Sequence, residues 1–280
     1  MFLKKRTYLD YAAGMNGNPS SPHEEGRRSR VVLERARSDI ARLLEVQSDD
    51  VIFTGGATEA NALAILGHAR ALLAAGKKNI HILYVPSAHA SVVENVRLLI
   101  PEGVDAEELP IRNYRVDVDA LAKMLRPETA LISMDAVCGE TGVVWNTREV
   151  AETLKKFRAP ALHVDASQAP FIEKITRAHF GADMLTLDAS KVGDVRGIGV
   201  LIAHRTIPII PLYAGGGQER SLRPGSEMPA LAEKFAACLR QAAFGREKFH
   251  KSAVRIRNEL TKTIIREIPR VYINEGRTQA

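Results

Sequence analysis

Val51-Ile52-Phe53-Thr54-Gly55-Gly56-Ala57-Thr58-Glu59-Ala60-Asn61 is the stretch on which the fold turns. Three β-prone residues at 51–53 run into a turn of small residues, and an Ala- and Leu-rich helical pattern follows over 58–75. Small residues let the backbone wrap closely around a ligand, and the start of the helix presents free N–H groups. Such a cup suits a phosphate. Its glycine spacing is not the dinucleotide fingerprint, and no Gly-Lys-Ser/Thr of an ATP-binding loop occurs. The alternative reading of the same residues is a plain tight turn with Thr58 as helix N-cap.

Outward from this unit, strands and helices alternate. A helix is expected over 23–45, with Val32, Ala36, Ile40 and Leu43 on one face. Strands are expected at 80–85, 107–111, 129–134, 161–164, 184–187 and 198–203, with helices at 89–99, 117–125 and 147–157 between them. This alternation predicts an α/β fold with a mainly parallel sheet flanked by helices. Ligands of such sheets sit at the carboxyl ends of strands. After residue 228 the pattern becomes one long helix over 229–267, with Leu231, Phe235, Leu239, Ala242, Ile256, Leu260 and Ile264 at helical spacing. Arg270 to Asn274 reads as the start of one more strand. The expected division is therefore a large domain at 1–228, then 229–280 as a long helix and the opening of an incomplete small domain.

Composition narrows the class. The 280 residues carry 39 Lys plus Arg against 33 Asp plus Glu, with 45% hydrophobic and 26% charged residues. That is globular, and it excludes disorder, collagen and a disulfide-stapled scaffold. The net charge is +6, but acidic and basic residues interleave, so a solvated basic face is expected and no nucleic-acid partner. Cys138 and Cys238 make neither a disulfide framework nor a metal site. The eight histidines form no HExxH arrangement, so no metal centre is expected. The N-terminus lacks a secretory apolar run, and no apolar stretch is long enough for a bilayer. A reducing cytoplasm is the expected compartment.

Three further strand exits carry chemistry. In Leu162-His163-Val164-Asp165-Ala166-Ser167-Gln168, Asp165 ends a strand, where it can receive an N–H from a bound heterocycle or cap a following turn. Lys191 follows the strand at 184–187, and a desolvated lysine there can form an imine with an aldehyde, although most loop lysines are simply solvated. His89 leaves the strand at 80–85 and can stack on an aromatic ligand or move a proton. Together, a phosphate cup, a carboxylate for a ring nitrogen, an aromatic face and an imine-forming lysine meet the demands of pyridoxal 5'-phosphate.

The order of these motifs resembles the class V aminotransferases, and within them the cysteine desulfurases of the NifS/IscS type. The matching strings are Tyr8-Leu9-Asp10-Tyr11-Ala12-Ala13, Asn18-Pro19-Ser20-Ser21-x-His23, the cup at 54–61, His163 to Gln168, Lys191, and Gly215-Gly216-Gly217-Gln218-Glu219-Arg220-Ser221-Leu222-Arg223-Pro224-Gly225-Ser226. The resemblance implies fold type I of the pyridoxal-phosphate transferases, with residues 1–228 binding the cofactor. It implies that Lys191 holds the cofactor and moves protons, and that His89 stacks on the ring and acts in proton transfer. Asp165 would pair with the pyridine nitrogen and Gln168 with the ring hydroxyl. Ala57 and Thr58 would bind the phosphate, Ser190 would be a further cofactor-binding residue, and Ser226 would reach the phosphate of a partner subunit in a homodimer.

The implied activity is conversion of L-cysteine to L-alanine, with sulfur passing through an enzyme persulfide to an acceptor or scaffold protein, as in iron–sulfur cluster assembly. Alternatives are another class V aminotransferase or lyase, and a non-catalytic scaffold with the same fold. Departures motivate them. Asp188-Ala189-Ser190-Lys191 replaces the family's Ser-x-His-Lys, and a carboxylate at 188 would repel a phosphate unless turned away or paired. Cys138-Gly139-Glu140-Thr141-Gly142 replaces Asn-Asn-Glu-x-Gly, so the asparagine expected at the ring hydroxyl is missing. The family's first helix is expected to be deleted between Ala13 and Asn18. Its sulfur-accepting cysteine is expected to lie beyond residue 280. Cys238 falls in the long helix, and Cys138 would be a surrogate nucleophile only in an exposed, electropositive setting. Little persulfide formation is therefore expected from these 280 residues.

Overall fold

Helix α1 (Glu24–Leu44) begins where His23 turns its ring back to accept from the Gly26 N–H at 3.1 Å, with Glu24 and Glu25 in the first turn facing the positive helix end. The computed structural model describes residues 7–15, 17–157 and 160–273. Leu33, Ala36, Arg37, Ile40, Ala41 and Leu44 form the buried stripe of α1. They pack along α8 (Pro229–Glu267), which opens on a proline, where no helical N–H partner is lost, and buries Ala232, Phe235, Ala236, Leu239 and Ala242.

Among the described residues, nine strands lie between them in the chain. β1 (Val51–Thr54), β2 (His81–Tyr84), β3 (Asp105–Glu108), β6 (Thr129–Asp135), β7 (Ala161–Asp165), β8 (Met184–Asp188) and β9 (Gly199–Ala203) form one sheet in the order β1-β9-β8-β7-β6-β2-β3. Five neighbours from β3 to β8 run parallel, while β9 runs antiparallel to both β8 and β1. The expected mainly parallel sheet is thus present, with a reversal at one side. β4 (Ile111–Arg112) and β5 (Arg115–Val116) form a separate hairpin whose turn residues Asn113 and Tyr114 have positive φ. The single strand expected at 107–111 is divided because Pro110 has no N–H for the ladder.

The helices are α2 (Ala57–Ala62), which continues through a π-turn (Leu63–Gly67) into α3 (His68–Ala74), then α4 (Ala90–Leu99), α5 (Val118–Met124), α6 (Thr147–Leu154) and α7 (Arg177–Phe180). The strand expected at 270–274 does not form over 271–273, and Asn274 lies outside the described residues. A lone strand there has no partner to pair with. Among the described residues, no helix is long and apolar enough to cross a membrane, and no cluster of His, Cys, Asp or Glu could hold a metal ion.

Strand direction gathers the functional loops. Asp135 lies opposite Asp165, and Asp165 opposite Thr186, so β6, β7 and β8 end together. Because β9 reverses, Gly199 at its start pairs with Asp188 on one side and Thr54 on the other. The end of β1, two strands away, thereby reaches the same edge. A Cβ on Gly199 would lie 2.7 Å from the Gly56 carbonyl carbon and 2.8 Å from the Leu187 oxygen, so only glycine lets the turn at 55–56 pass this close.

Candidate functional site

The turn after β1 is capped by Gly56, whose φ of 146° is open to glycine and costly for other residues. Thr58 is therefore not the N-cap; it occupies the second helical position and is exposed. The Ala57 N–H points at the end of β8 and donates to Asp188 Oδ2 at 2.7 Å. Asp188 Oδ1 accepts from the Ser190 N–H at 2.8 Å and from the Ser190 hydroxyl at 2.6 Å. Asp188 is thus turned into the cup and paired there.

The cup is tied to the glycine-rich loop at 215–226 through Glu59. Its carboxylate accepts from the Gly55 N–H, from the Tyr213 hydroxyl at 2.7 Å and from Arg223 Nε at 3.2 Å. Burial opposes this charge, but the Tyr213, Gly55 and Arg223 donors outweigh it and hold the Glu59 carboxyl below the usual range. The same loop is clamped from beneath. Glu219 is buried and accepts two bonds from the Arg37 guanidinium, at 2.7 and 2.8 Å, and one from the Phe53 N–H at 2.8 Å. Glu219, Arg220 and Ser221 all take positive φ to allow it. Glu219 lies inside a motif quoted above, yet no role was legible there, because Arg37 is 182 residues away.

At the other end of the cleft, Asp165 is buried at the exit of β7. Its Oδ1 accepts from the Ser167 N–H at 2.9 Å, and its Oδ2 from Asn61 Nδ2 at 2.7 Å. Asn61 Nδ2 also donates to Ser91 Oγ at 2.8 Å. Ser91 Oγ lies 2.7 Å from His89 Nδ1, which also accepts from the Ser91 N–H at 3.1 Å. These roles make Nδ1 an acceptor, so neutral His89 carries its proton on Nε2. A chain of hydrogen bonds thus runs from His89 through Ser91 and Asn61 to Asp165. Asn61 and Ser91 had no role in the sequence reading. The signal was spacing: Asn61 stands four residues after Ala57 and faces the same side of the helix.

The structure brings some expected residues together and leaves others apart. Gln168 packs against the 138–142 loop; a Cβ on Gly139 would lie 2.9 Å from its Nε2. A larger residue at 139 would make this amide swing aside. Lys191 is exposed at the end of the single 3₁₀ turn after β8, beside Ser190. Ser226 is exposed next to Gly225. Cys138 is buried, with its thiol 3.6 Å from the Ser87 oxygen, and Cys238 is half-buried against Gly193. Neither offers an exposed nucleophile over the cleft.

The two ends differ in what they accept. At the Asp165 end, Asn61 and Ser167 leave lone pairs on a carboxylate that can receive an N–H. At the Ala57 end the donors suited to an anion already hold one. Two unit charges about 4 Å apart repel by about 4 kcal/mol at an effective dielectric of about 20. A phosphate does not fit beside Asp188 as it is held here.

A family model described as aminotransferase class-V matches residues 6–273. Cysteine desulfurase IscS 1 of Archaeoglobus fulgidus is 36% identical over 225 residues, covering 80% of this chain and 58% of the relative. Cysteine desulfurase IscS of Dictyoglomus turgidum is 32% identical over 294 residues, covering 99% of this chain and 74% of the relative. The chain thus spans under two thirds of the first relative's length. Among solved structures, a NifS-like protein superposes with a TM-score of 0.86 at 26% identity, over 91% of this chain and 70% of the other.

Proposed function

The chain belongs to the class-V aminotransferase family, and from that premise we propose that it is a cysteine desulfurase-like enzyme chain whose site takes the pyridine aldehyde of the family's cofactor, pyridoxal 5'-phosphate. The reaction is the family relatives' conversion of L-cysteine to L-alanine, with sulfur leaving on an enzyme thiol for an acceptor protein; neither Cys138 nor Cys238 is placed to be that thiol, so these 280 residues are proposed to be impaired in persulfide formation. Residues 1–228 are the cofactor domain, and the long helix α8 (Pro229–Glu267) opens a second, smaller one that runs to 280. A homodimer, with Ser226 facing the partner's site, and a cytoplasmic setting complete the reading; the two free thiols suit a reducing compartment.

The observation that carries this reading is the chain of hydrogen bonds from His89 through Ser91 and Asn61 to Asp165. It fixes a carboxylate at the exit of β7 and an imidazole at the exit of β2, with β6 between them. There, Asp165 can keep a pyridine nitrogen protonated, and His89 can stack on the ring and hand a proton from Nε2. Gln168 follows Asp165 at the exit of β7, for the ring oxygen, and Lys191 stands at the adjoining exit of β8, for holding the aldehyde carbon. A pyridine aldehyde held there would supply an electron sink for the amino-acid carbon. Asp188 closes the phosphate end by taking the Ala57 N–H itself. That same carboxylate favours a second reading, a non-catalytic scaffold of this fold.

Borohydride trapping tests the assignment. The chain is incubated with pyridoxal or with pyridoxal phosphate, reduced and mapped by mass spectrometry. The label is expected on the peptide carrying Lys191 and is lost in Lys191→Ala. Label spread over surface lysines, unchanged in Lys191→Ala, sinks the assignment of the cleft.

A further inference from the structure

The Ala57 end of the cleft holds an anion that belongs to the chain. Asp188 takes the Ala57 N–H at 2.7 Å with one oxygen, and the Ser190 N–H and hydroxyl at 2.8 and 2.6 Å with the other. It sits directly on the turn: a Cβ on Gly56 would be 3.3 Å from Oδ2. The neighbouring charges do not release it. Glu59, also negative, already engages Tyr213, Arg223 and the Gly55 N–H. Lys191 is exposed beyond Ser190 and makes no hydrogen bond to Asp188 among those that hold the carboxylate.

We propose that Asp188 sets the charge specificity of this cleft: its carboxylate occupies the anion position, so the chain discriminates against phosphate-bearing ligands and accepts the phosphate-free pyridine aldehyde instead. The proposal rests on the assignment of the cleft above. It follows from three donors directed at one carboxylate and from the repulsion that a second anion meets there. A neutral residue at 188 leaves the Ala57 N–H and the Ser190 hydroxyl to an incoming phosphate.

The test compares the full chain with Asp188→Ser and Asp188→Asn. Both variants keep a polar oxygen near the Ala57 N–H, so the helix start retains a cap. Binding of pyridoxal phosphate, pyridoxal and inorganic phosphate is measured by calorimetry and by thermal shift. In the wild-type chain, pyridoxal phosphate is expected to bind no more tightly than pyridoxal, and inorganic phosphate to give no stabilisation. In the variants, pyridoxal phosphate is expected to tighten about tenfold or more with pyridoxal unchanged, as removing one opposed charge implies. Inorganic phosphate should then stabilise only the variants.

Wild-type binding of pyridoxal phosphate tenfold tighter than pyridoxal overturns the proposal, because Asp188 then yields to the phosphate. Equal effects of the variants on both aldehydes overturn it as well. The inorganic-phosphate arm separates the two readings. If phosphate stabilises the variants but neither aldehyde reaches Lys191, Asp188 guards an anion position and the cofactor assignment fails alone. If phosphate stabilises none of the three proteins, the Asp188 proposal fails alone.

Discussion

Asp188, Asp165 and Asp135 end three adjacent strands, and their surroundings give three different carboxylates. Asp188 has three donors and Asp165 has two, but Asp135 Oδ1 is buried without a partner. Burial pushes the Asp135 carboxyl up to about 7 from an ordinary 3.8, and the charge of Asp165 opposite it adds to the rise. The folded chain therefore keeps a proton that the unfolded chain releases. Stability falls as pH rises from about 4 to about 7 and is level above that. Asp135→Asn keeps the shape of the protonated acid and removes this dependence. Its thermal midpoint should exceed that of the wild type at pH 8, with the gap closing by pH 4. A gap of the same size at both pH values contradicts the argument. His163, buried between Ser133 and Thr186, has its pKa pushed down to about 4 by burial, against the pull of Asp165, and so acts with the opposite sign. Its stability contribution is lost as pH falls from about 6.5 towards 4, equally in both proteins, and it cancels from the comparison.

At the scale of elements, the glycine-rich loop is held by a clamp rather than by its own backbone preferences. Three successive residues at positive φ oppose the fold locally, and the buried Arg37–Glu219 pair, with the Phe53 N–H, offsets them. Glu219→Ala would leave the buried Arg37 guanidinium with Glu34 and the Val51 oxygen alone and the Phe53 N–H unpaired, which costs at most about 3–5 kcal/mol. The thermal midpoint should then drop by roughly 6–20 °C at about 2–4 °C per kcal/mol for a chain of this size. Adding Arg37→Met should recover only part of that loss, since the Phe53 N–H stays unpaired. A single-variant drop below about 2 °C shows the clamp to be idle. The clamp also marks what a sequence conceals. The strand exits carrying His89, Asp165 and Lys191 were legible because alternating apolar runs show where strands stop. The anchors were not: Glu219 to Arg37 and Asp188 to Ala57 span 182 and 131 residues. Only the reversal of β9 brings the end of β1 beside the end of β8. No local pattern encodes that reversal, since β9 is an apolar strand in either direction.

For the molecule as a whole, the long helix divides into two physical halves. At 39 residues, α8 is about 58 Å long by its rise of 1.5 Å per residue, longer than a sheet of this size needs as cover. The sequence showed one helix, because its apolar spacing continues past residue 250, but spacing does not say which residues have a neighbour. Burial stops at Ala242; Phe244 is 80% exposed, and Ile256, Leu260 and Ile265 are each more than half exposed. The first half shares the core with α1 and the sheet; just past it Phe249 meets the Phe171 ring and Arg246 donates to the Glu173 oxygen, and from there on the helix is supported by backbone hydrogen bonds and by pairs such as Lys251–Glu247 and Arg255–Glu259. Such exposed pairs contribute about 0.3–0.5 kcal/mol each, far less than buried side chains. The two halves should therefore open separately. Hydrogen exchange on the intact chain should show amides over 232–242 protected to the level of β7 and β8, and amides over 250–267 exchanging at least about a hundredfold faster, a difference of about 2.7 kcal/mol in opening free energy. Equal protection along α8 would mean that another surface, such as a second copy of the chain, covers Leu260 and Ile265. Repeating the exchange at lower protein concentration separates the two cases, because protection borrowed from a second copy falls on dilution.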